Sequence, residues 1–283
     1  MTIPKLSSYS LPTVDELPFN KAHWVFEPQR AALLIHDMQD YFLNFWGEES
    51  PLVTTLVANI VSLRRYCSSL GIPVFYTAQP SEQSDAERAL LSDMWGSGLK
   101  NHPLQQQITS ALTPADRNQV LMKRRYSAFH HSPLESILKE CARDQLIICG
   151  VYAHIGCLTT ATDAFMRDIK AFMVADALAD FTREDHLMAL NYTAECSGCV
   201  VMMQDLMLTP QSKMSLRETV LALLNDSEQP EDDDNLIDYG LDSVQIMALT
   251  ARWSQIYADI DFIKLAQNPT INGWWSMLAR EDQ

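Results

Sequence analysis

The chain lacks the clustered basic residues that a polyanion requires: 21 Lys and Arg stand against 36 Asp and Glu, a formal net charge of −15. Phosphate contacts are made by grouped Lys and Arg, so nucleic acid is not an expected ligand. No apolar run is long enough to cross a bilayer, and no basic stretch leads into an apolar one at the N-terminus. The expected location is therefore the cytoplasm, with no membrane partner. Internal repeats are missing, so a repeat architecture is not expected. The six cysteines are Cys67, Cys141, Cys149, Cys157, Cys196 and Cys199. Cys196-Ser-Gly-Cys199 has the spacing of a redox or metal pair, but no second Cys/His pair accompanies it. The thiols read mainly as small buried hydrophobes.

What is present is enough for a sizeable core: 283 residues, 47% of them hydrophobic, in one or two domains. The charge is uneven. From Ser215 to Gln283 there are 4 Lys and Arg against 13 Asp and Glu, a net of −9, whereas the preceding 214 residues carry a net of −6. That asymmetry points to two units, the smaller one suited to basic partners. Upstream, short apolar runs alternate with helical stretches. The runs are Ala31–His36, Ile72–Thr77, Val120–Lys123, Leu146–Val151, Ala171–Val174 and Val200–Met203, with a helix over Leu52–Leu70. Fully apolar strands alternating with helices predict a doubly wound α/β domain with a parallel sheet, its site at the carboxyl ends of the strands. The alternation stops near Leu208-Thr209-Pro210. The expected organisation is an α/β domain over 1–207, a linker over 208–214, and a small helical bundle over 215–283.

Within the bundle an acidic stretch, Asp232-Asp233-Asp234-Asn235-Leu236-Ile237-Asp238-Tyr239, runs into Gly240-Leu241-Asp242-Ser243 and an amphipathic helix with Val244, Ile246, Met247 and Leu249. Ser243 is expected at the helix N-cap, where unpaired amides and the helix dipole suit a phosphodiester. The stretch resembles the aryl carrier domains of siderophore-type nonribosomal synthetases. The resemblance implies a covalent 4′-phosphopantetheine arm on Ser243. It makes Asp238 and Asp242 docking residues for a basic phosphopantetheinyl transferase. Met247, Phe262 and Ala266 become candidates for the apolar patch read by a condensation domain. Asp242 and the Gly240 carbonyl are candidate oxygen ligands for Mg²⁺.

The strand ends of the larger domain supply Asp37 in His36-Asp37-Met38-Gln39, Gln79 after Tyr76-Thr77-Ala78, and Lys123 in Met122-Lys123-Arg124-Arg125-Tyr126. Gly150-Val151-Tyr152-Ala153-His154-Ile155-Gly156-Cys157-Leu158-Thr159-Thr160 then leaves a strand for a helix. This order resembles the isochorismatase-like hydrolase family over roughly 15–207, whose amide-cleaving members use an Asp, a Lys and a Cys. Aligning the strand-to-helix turn puts the nucleophile position at Gly156. Cys157, one residue later, points about 100° away. Loss of the nucleophile resembles the isochorismatases, which cleave a vinyl ether, and Asp37 would then be a general acid whose carboxyl must hold a proton near neutral pH. The resemblance makes Lys123 a positioning cation and Arg88 a clamp for a substrate carboxylate. Gln79, Tyr152 and the Gly156 amide would supply hydrogen bonds, and Trp95, Phe42 and Tyr126 apolar walls. His36 and His154 read as supporting residues.

Together the two domains are similar to the bifunctional isochorismatase and aryl carrier proteins of catecholate siderophore assembly, of the enterobactin and vibriobactin type. That implies isochorismate as substrate, 2,3-dihydroxybenzoate as cargo, a 2,3-dihydroxybenzoate-AMP ligase and a condensation domain as partners, and a homodimer. Two rival readings are a nicotinamidase-like amidohydrolase using Cys157 and a carrier scaffold without catalysis.

Overall fold

The computed structural model describes residues 3–208, 213–221, 223–224, 229–254, 257 and 260–279. The chain divides into two compact units, Met1–Ala22 with Pro28–Met203, and His23–Glu27 with Gln204–Gln283. The expected domain edge at 207 lies inside a helix, Met203–Leu208, and Lys213 and Met214 already belong to the next one, Lys213–Leu221. Of the expected linker, residues 209–212 lie outside the described residues.

The first unit is built on six strands: β1 (Ala31–His36), β2 (Val74–Ala78), β3 (Val120–Met122), β4 (Gln145–Val151), β5 (Lys170–Ala179) and β6 (Gly198–Val201). They pair in the order β3-β2-β1-β4-β5-β6, every pair parallel. Its helices are α1 (Asp40–Leu43), α2 (Pro51–Ser69), α3 (Asp85–Arg88), α4 (Leu90–Trp95), α5 (Leu134–Glu140), α6 (Leu158–Phe165) and α7 (Arg183–Cys196). All residues of β1 and β4 are buried, as continuous apolar strands covered on both faces require. Ala32, Leu34, Leu146, Ile148 and Met173 share one core with residues of α5, α6 and α7. By the period-two alternation of strands, Leu33, Ile35, Ile147 and Phe172 point to the opposite face, and α2 packs against the sheet. α2 buries Leu52, Leu56, Ile60, Leu63 and Cys67, a stripe at helical spacing, after a Ser50 cap and a proline in its first turn. Each such Leu or Ile stabilises the fold by about 1.5–3 kcal/mol.

The strand order reverses between β1 and β4, whose carboxyl ends are the expected crevice of a doubly wound sheet. Two strands depart from expectation. β5 continues to Ala179, past the expected end at Val174, and Met203 opens helix α8 (Met203–Leu208) where strand was expected. No helix of the described residues is long and apolar enough to cross a membrane.

The second unit comprises α8, α9 (Lys213–Leu221), α10 (Ser243–Trp253), α11 (Phe262–Gln267) and α12 (Ile271–Leu278). Its core gathers Leu216, Val220, Leu236, Ile246, Leu249 and Leu265 around Trp253 and Trp274, whose rings meet edge to face at 5.6 Å. The acidic loop is tied to this core: the Leu236 amide donates to the Pro269 carbonyl at 2.8 Å, and Arg217 pairs with Asp232 at 2.7 Å. A 3₁₀ turn, Leu236–Tyr239, ends at Gly240, which is left-handed at φ 93°. Val25 packs on the same core.

Candidate active site and carrier serine

One cleft of the first unit, about 560 Å³ of empty space counted to its open mouth, is lined by all nine residues expected there: Asp37, Gln79, Arg88, Lys123, Gly156, Phe42, Trp95, Tyr126 and Tyr152. Asp37 follows the last residue of β1 with a left-handed φ of 47°, an uncommon conformation for a residue with a side chain, and lines the cleft. It is 4% exposed. The Lys123 ammonium lies 2.7 Å from Oδ2 and also donates to the Arg125 carbonyl at 3.1 Å. Gln79 Nε2 donates to the same Oδ2 at 3.4 Å. Thr77, fully buried in β2, accepts from the Asp37 amide at 3.0 Å and donates to Oδ1 at 2.6 Å. Burial by itself pushes the Asp37 carboxyl up, but Lys123, then His36, then the hydrogen bonds of Lys123 and Thr77 outweigh it and hold it below the usual range. In the free protein Asp37 is therefore a carboxylate.

His36 is 1% exposed, with Nδ1 2.8 Å from the Val151 carbonyl and Nε2 3.4 Å from the Tyr126 carbonyl. The shorter contact assigns the proton to Nδ1. Burial drives its pKa down to about 4, against the pull of Asp37. Position 156 carries no nucleophile. Cys157 is in the core among Ala153, Ala161 and Met173, and burial raises its thiol well above the ordinary range. A neutral, enclosed thiol outside the cleft argues against the amidohydrolase reading.

Arg88 is 7% exposed, held by its Nε to the Gly96 carbonyl at 2.6 Å. Its guanidinium lies on Gly98, where a Cβ would come within 2.4 Å of Nη2. No carboxylate of the described residues pairs with it, so its charge faces the cleft uncompensated. Trp95 Nε1 donates to the Tyr126 hydroxyl at 2.8 Å, and both rings stand as walls. Tyr152 differs from expectation. Its hydroxyl donates to the Phe42 carbonyl at 2.7 Å, so the residue contributes a ring wall and its proton is committed to the scaffold.

Several lining residues were not foreseen, among them Tyr41 and Phe181, which packs edge to face on Tyr152 and on Trp95. Thr77 was also missed, although a hydroxyl at the end of an otherwise apolar strand was a usable signal. Gln39 braces the rim by donating to the carbonyls of Gln79 at 2.9 Å and Gln106 at 2.6 Å. His154, Asp180 and Asp185 bring ligand-type atoms within 4.8 Å of one another. Yet Asp180 already accepts from the His154 ring and amide, both at 2.5 Å, and from the Phe181 amide at 2.8 Å, a set of contacts that reads as an ion pair between a buried carboxylate and a half-buried imidazole. Cys196, exposed at the end of α7, and Cys199, buried in β6 with its Sγ donating to the Ala22 carbonyl at 3.1 Å, are not joined in a disulfide.

In the second unit Ser243 is the first residue of α10, and Asp242 is its N-cap, which corrects the expected assignment. Asp242 Oδ1 accepts from the Gln245 amide at 2.7 Å, and Gln245 Oε1 accepts from the Asp242 amide at 2.8 Å, a reciprocal capping pair. The Asp242 carboxylate reaches forward to the Gln245 amide, which leaves the Ser243 side chain exposed at the helix start. An exposed hydroxyl at the positive end of an eleven-residue helix fits a phosphodiester. A Mg²⁺ fits less well: Asp242 has one oxygen committed to the cap, and Gly240 would add a single carbonyl where an octahedral ion wants six ligands. Met247 is 54% and Phe262 36% exposed, with Ala266 half-buried, so Met247 and Phe262 lie outside the core. Asp238 is exposed.

Residues 31–205 match the family model of the isochorismatase domain, and residues 215–278 that of the phosphopantetheine attachment site. The chain is 63% identical over 283 residues to enterobactin synthase component B of Escherichia coli (strain K12), covering 99% of each. It is 44% identical to the isochorismatase of Bacillus subtilis (strain 168), covering 100% of this chain and 97% of that protein. Among solved structures, a cysteine hydrolase from Pseudomonas syringae pv. phaseolicola shares the fold with a TM-score of 0.60 at 23% identity, over 66% of this chain and 94% of that one. The chain belongs to the isochorismatase family and carries a phosphopantetheine attachment site behind its isochorismatase domain.

Proposed function

We propose that the first unit hydrolyses the vinyl ether of isochorismate to 2,3-dihydro-2,3-dihydroxybenzoate and pyruvate, and that the second carries 2,3-dihydroxybenzoate for siderophore synthesis. The observation behind this reading is the buried Asp37–Lys123 pair set beside Gly156, a position without a nucleophile. An acid, a cation and no thiol suit proton transfer to carbon and leave nothing to form an acyl-enzyme. The kinship with enterobactin synthase component B and with an isochorismatase supports the same substrate and pathway.

The reaction starts from Asp37 in its protonated form. The acid delivers its proton to the terminal methylene carbon of the enol ether, and the adjacent carbon becomes an oxocarbenium ion. Water adds there, its proton returns to Asp37, and the hemiketal breaks its C–O bond to release pyruvate and the ring alcohol. Arg88, which lines the cleft, suits a substrate carboxylate, and Lys123, 2.7 Å from Asp37, suits the role of aiming it. The substrate's own carboxylates, arriving beside Asp37, raise its pKa and let it take a proton. In the second unit the arm on Ser243 supplies a thiol that holds the aryl acid as a thioester. Exposed Asp238 and Asp242 suit docking of a basic phosphopantetheinyl transferase, and Met247 with Phe262 suits a condensation domain. An adenylating ligase for the aryl acid, a cytoplasmic location and a homodimer complete the reading.

Purified protein mixed with isochorismate should release pyruvate, detected with lactate dehydrogenase. Asp37→Asn should abolish that release and leave arm attachment intact. Ser243→Ala should do the reverse, as read by intact mass after incubation with coenzyme A and a phosphopantetheinyl transferase. Absence of pyruvate from the unsubstituted protein would sink the hydrolase reading, and an unchanged mass the carrier reading.

A further inference from the structure

We propose that His36 selects between the two chemistries open to this fold: its imidazole fills the space that any side chain at position 156 would need, so no nucleophile can be seated beside Asp37. This rests on the hydrolase reading above for its functional meaning, though the steric claim stands on geometry alone. A Cβ on Gly156 would lie 2.2 Å from His36 Cε1, 2.8 Å from Nε2 and 3.1 Å from Nδ1. Heavy atoms do not approach that closely, so either the ring or the backbone must move.

Neither is free to do so. The ring is 1% exposed and held by Nδ1 to the Val151 carbonyl at 2.8 Å, with Nε2 facing the Tyr126 carbonyl. Its backbone is fixed as the last residue of β1, in register with Gly150 of β4. Gly150 abuts the same residue: a Cβ there would meet the His36 carbonyl oxygen at 2.2 Å. Two glycines therefore frame one histidine, one against its main chain and one against its ring.

The alternative explanation for glycine at 156, a backbone shape that L-residues avoid, does not apply. Gly150 needs its glycine on that ground, at φ 112°, whereas Gly156 is absent from the left-handed positions of the chain. Space alone forbids a side chain there. Restoring a thiol at 156 would displace the ring, whose Nδ1 is held by the Val151 carbonyl and lies 3.9 Å from Asp37 Oδ2. The acid pair and a nucleophile at 156 are thus mutually exclusive while His36 is present.

A double-mutant cycle tests this with Gly156→Ala, His36→Ala and the two combined. Gly156→Ala alone should lower Tm by about 3–10 °C, the range of an overpacked core, and reduce kcat/KM for pyruvate release about tenfold or more. In the His36→Ala background the same alanine should cost nothing in Tm, because its methyl enters the vacated space. A second arm uses a thiol. In folded His36→Ala/Gly156→Cys the new thiol should be alkylated by iodoacetamide, located by peptide mass, and in folded Gly156→Cys alone it should not. An equal Tm loss in both backgrounds, a tolerated Gly156→Ala, or equal alkylation with and without His36 overturns the proposal. If Gly156→Ala does not fold, recovery of folded protein in the double variant supports it and failure of that recovery overturns it. Wild-type pyruvate release separately tests the hydrolase reading, and the Tm and alkylation arms do not depend on it.

Discussion

A carboxylate held against an ammonium is poorly suited to donate a proton, and Asp37 is in that situation before substrate arrives. The dianionic substrate changes the balance. A carboxylate about 5 Å away, at an effective dielectric near 20, opposes ionisation by roughly 3 kcal/mol, about two pH units. The expected signature is a split between two pH profiles. Each falls as pH rises past the pKa of the acid, but kcat, which reports the complex, should stay high to a pH about two units above the fall of kcat/KM, which reports the free enzyme. Because free Asp37 is held below the usual carboxylate range, kcat/KM should already be falling at pH 4 while kcat still holds its plateau. A kcat that falls from pH 4 in parallel with kcat/KM, in initial rates over pH 4–9, would reject substrate-assisted protonation. Arg88 offers a second test, because its guanidinium is buried at the cleft without a carboxylate partner among the described residues. Arg88→Gln should lower kcat/KM by about 10–100-fold, mostly through KM, as a lost charged hydrogen bond predicts. An unchanged KM would remove it from substrate binding.

At the scale of elements, the carrier helix depends on a cap that the sequence reading assigned one residue late. Asp242→Ala should destabilise the second unit by about 1 kcal/mol, and Asp242→Asn should restore most of that because an amide oxygen still accepts from Gln245. If arm attachment slows equally in both variants, charge governs docking. If it recovers in Asp242→Asn, helix order governs it, and urea unfolding with the attachment rate separates the two. Much of the fold was legible in this way, from local pattern: β1 runs over the six residues expected, and α2 buries its apolar stripe between caps written in the sequence. What escaped was set by distant contacts. β5 continues through Ala175-Asp176-Ala177 because β4 pairs with it as far as Ala179, and small residues around an acid give no strand signal. Asp37, Gln79, Lys123 and Tyr152 were legible because each directly follows a strand end, where parallel topology brings them together, whereas Phe42, Arg88 and Trp95 lie on α1, α3 and α4, to which strand topology does not point. The clash between His36 and position 156 could not be read, because 120 residues separate them in sequence.

At the scale of the molecule, two buried histidines tie stability to pH. His36 and His186 are each 1% exposed or less, and burial lowers both to about 4. Unfolded histidine titrates near 6.5, so below that value the unfolded chain binds protons that the fold refuses. Their contribution is therefore fully present above about pH 6.5 and is lost as pH falls toward 4, roughly 3 kcal/mol for each residue. Asp176 works the other way, since burial raises its carboxyl and the fold takes up a proton first. His154, raised by Asp180 and Asp185 against its own burial, gives stability that is present below 6.5 and lost above it, outside this window. The second unit holds one histidine, His23, which is exposed, so the effect belongs to the first unit. Calorimetry should give a Tm for the first unit that falls by about 10 °C or more between pH 7 and pH 4.5. His186→Asn, which keeps a polar side chain near the Tyr9 hydroxyl but cannot titrate, should roughly halve that slope. A Tm independent of pH across the window, or a slope unchanged by His186→Asn, would show that these two rings are not held neutral by the fold.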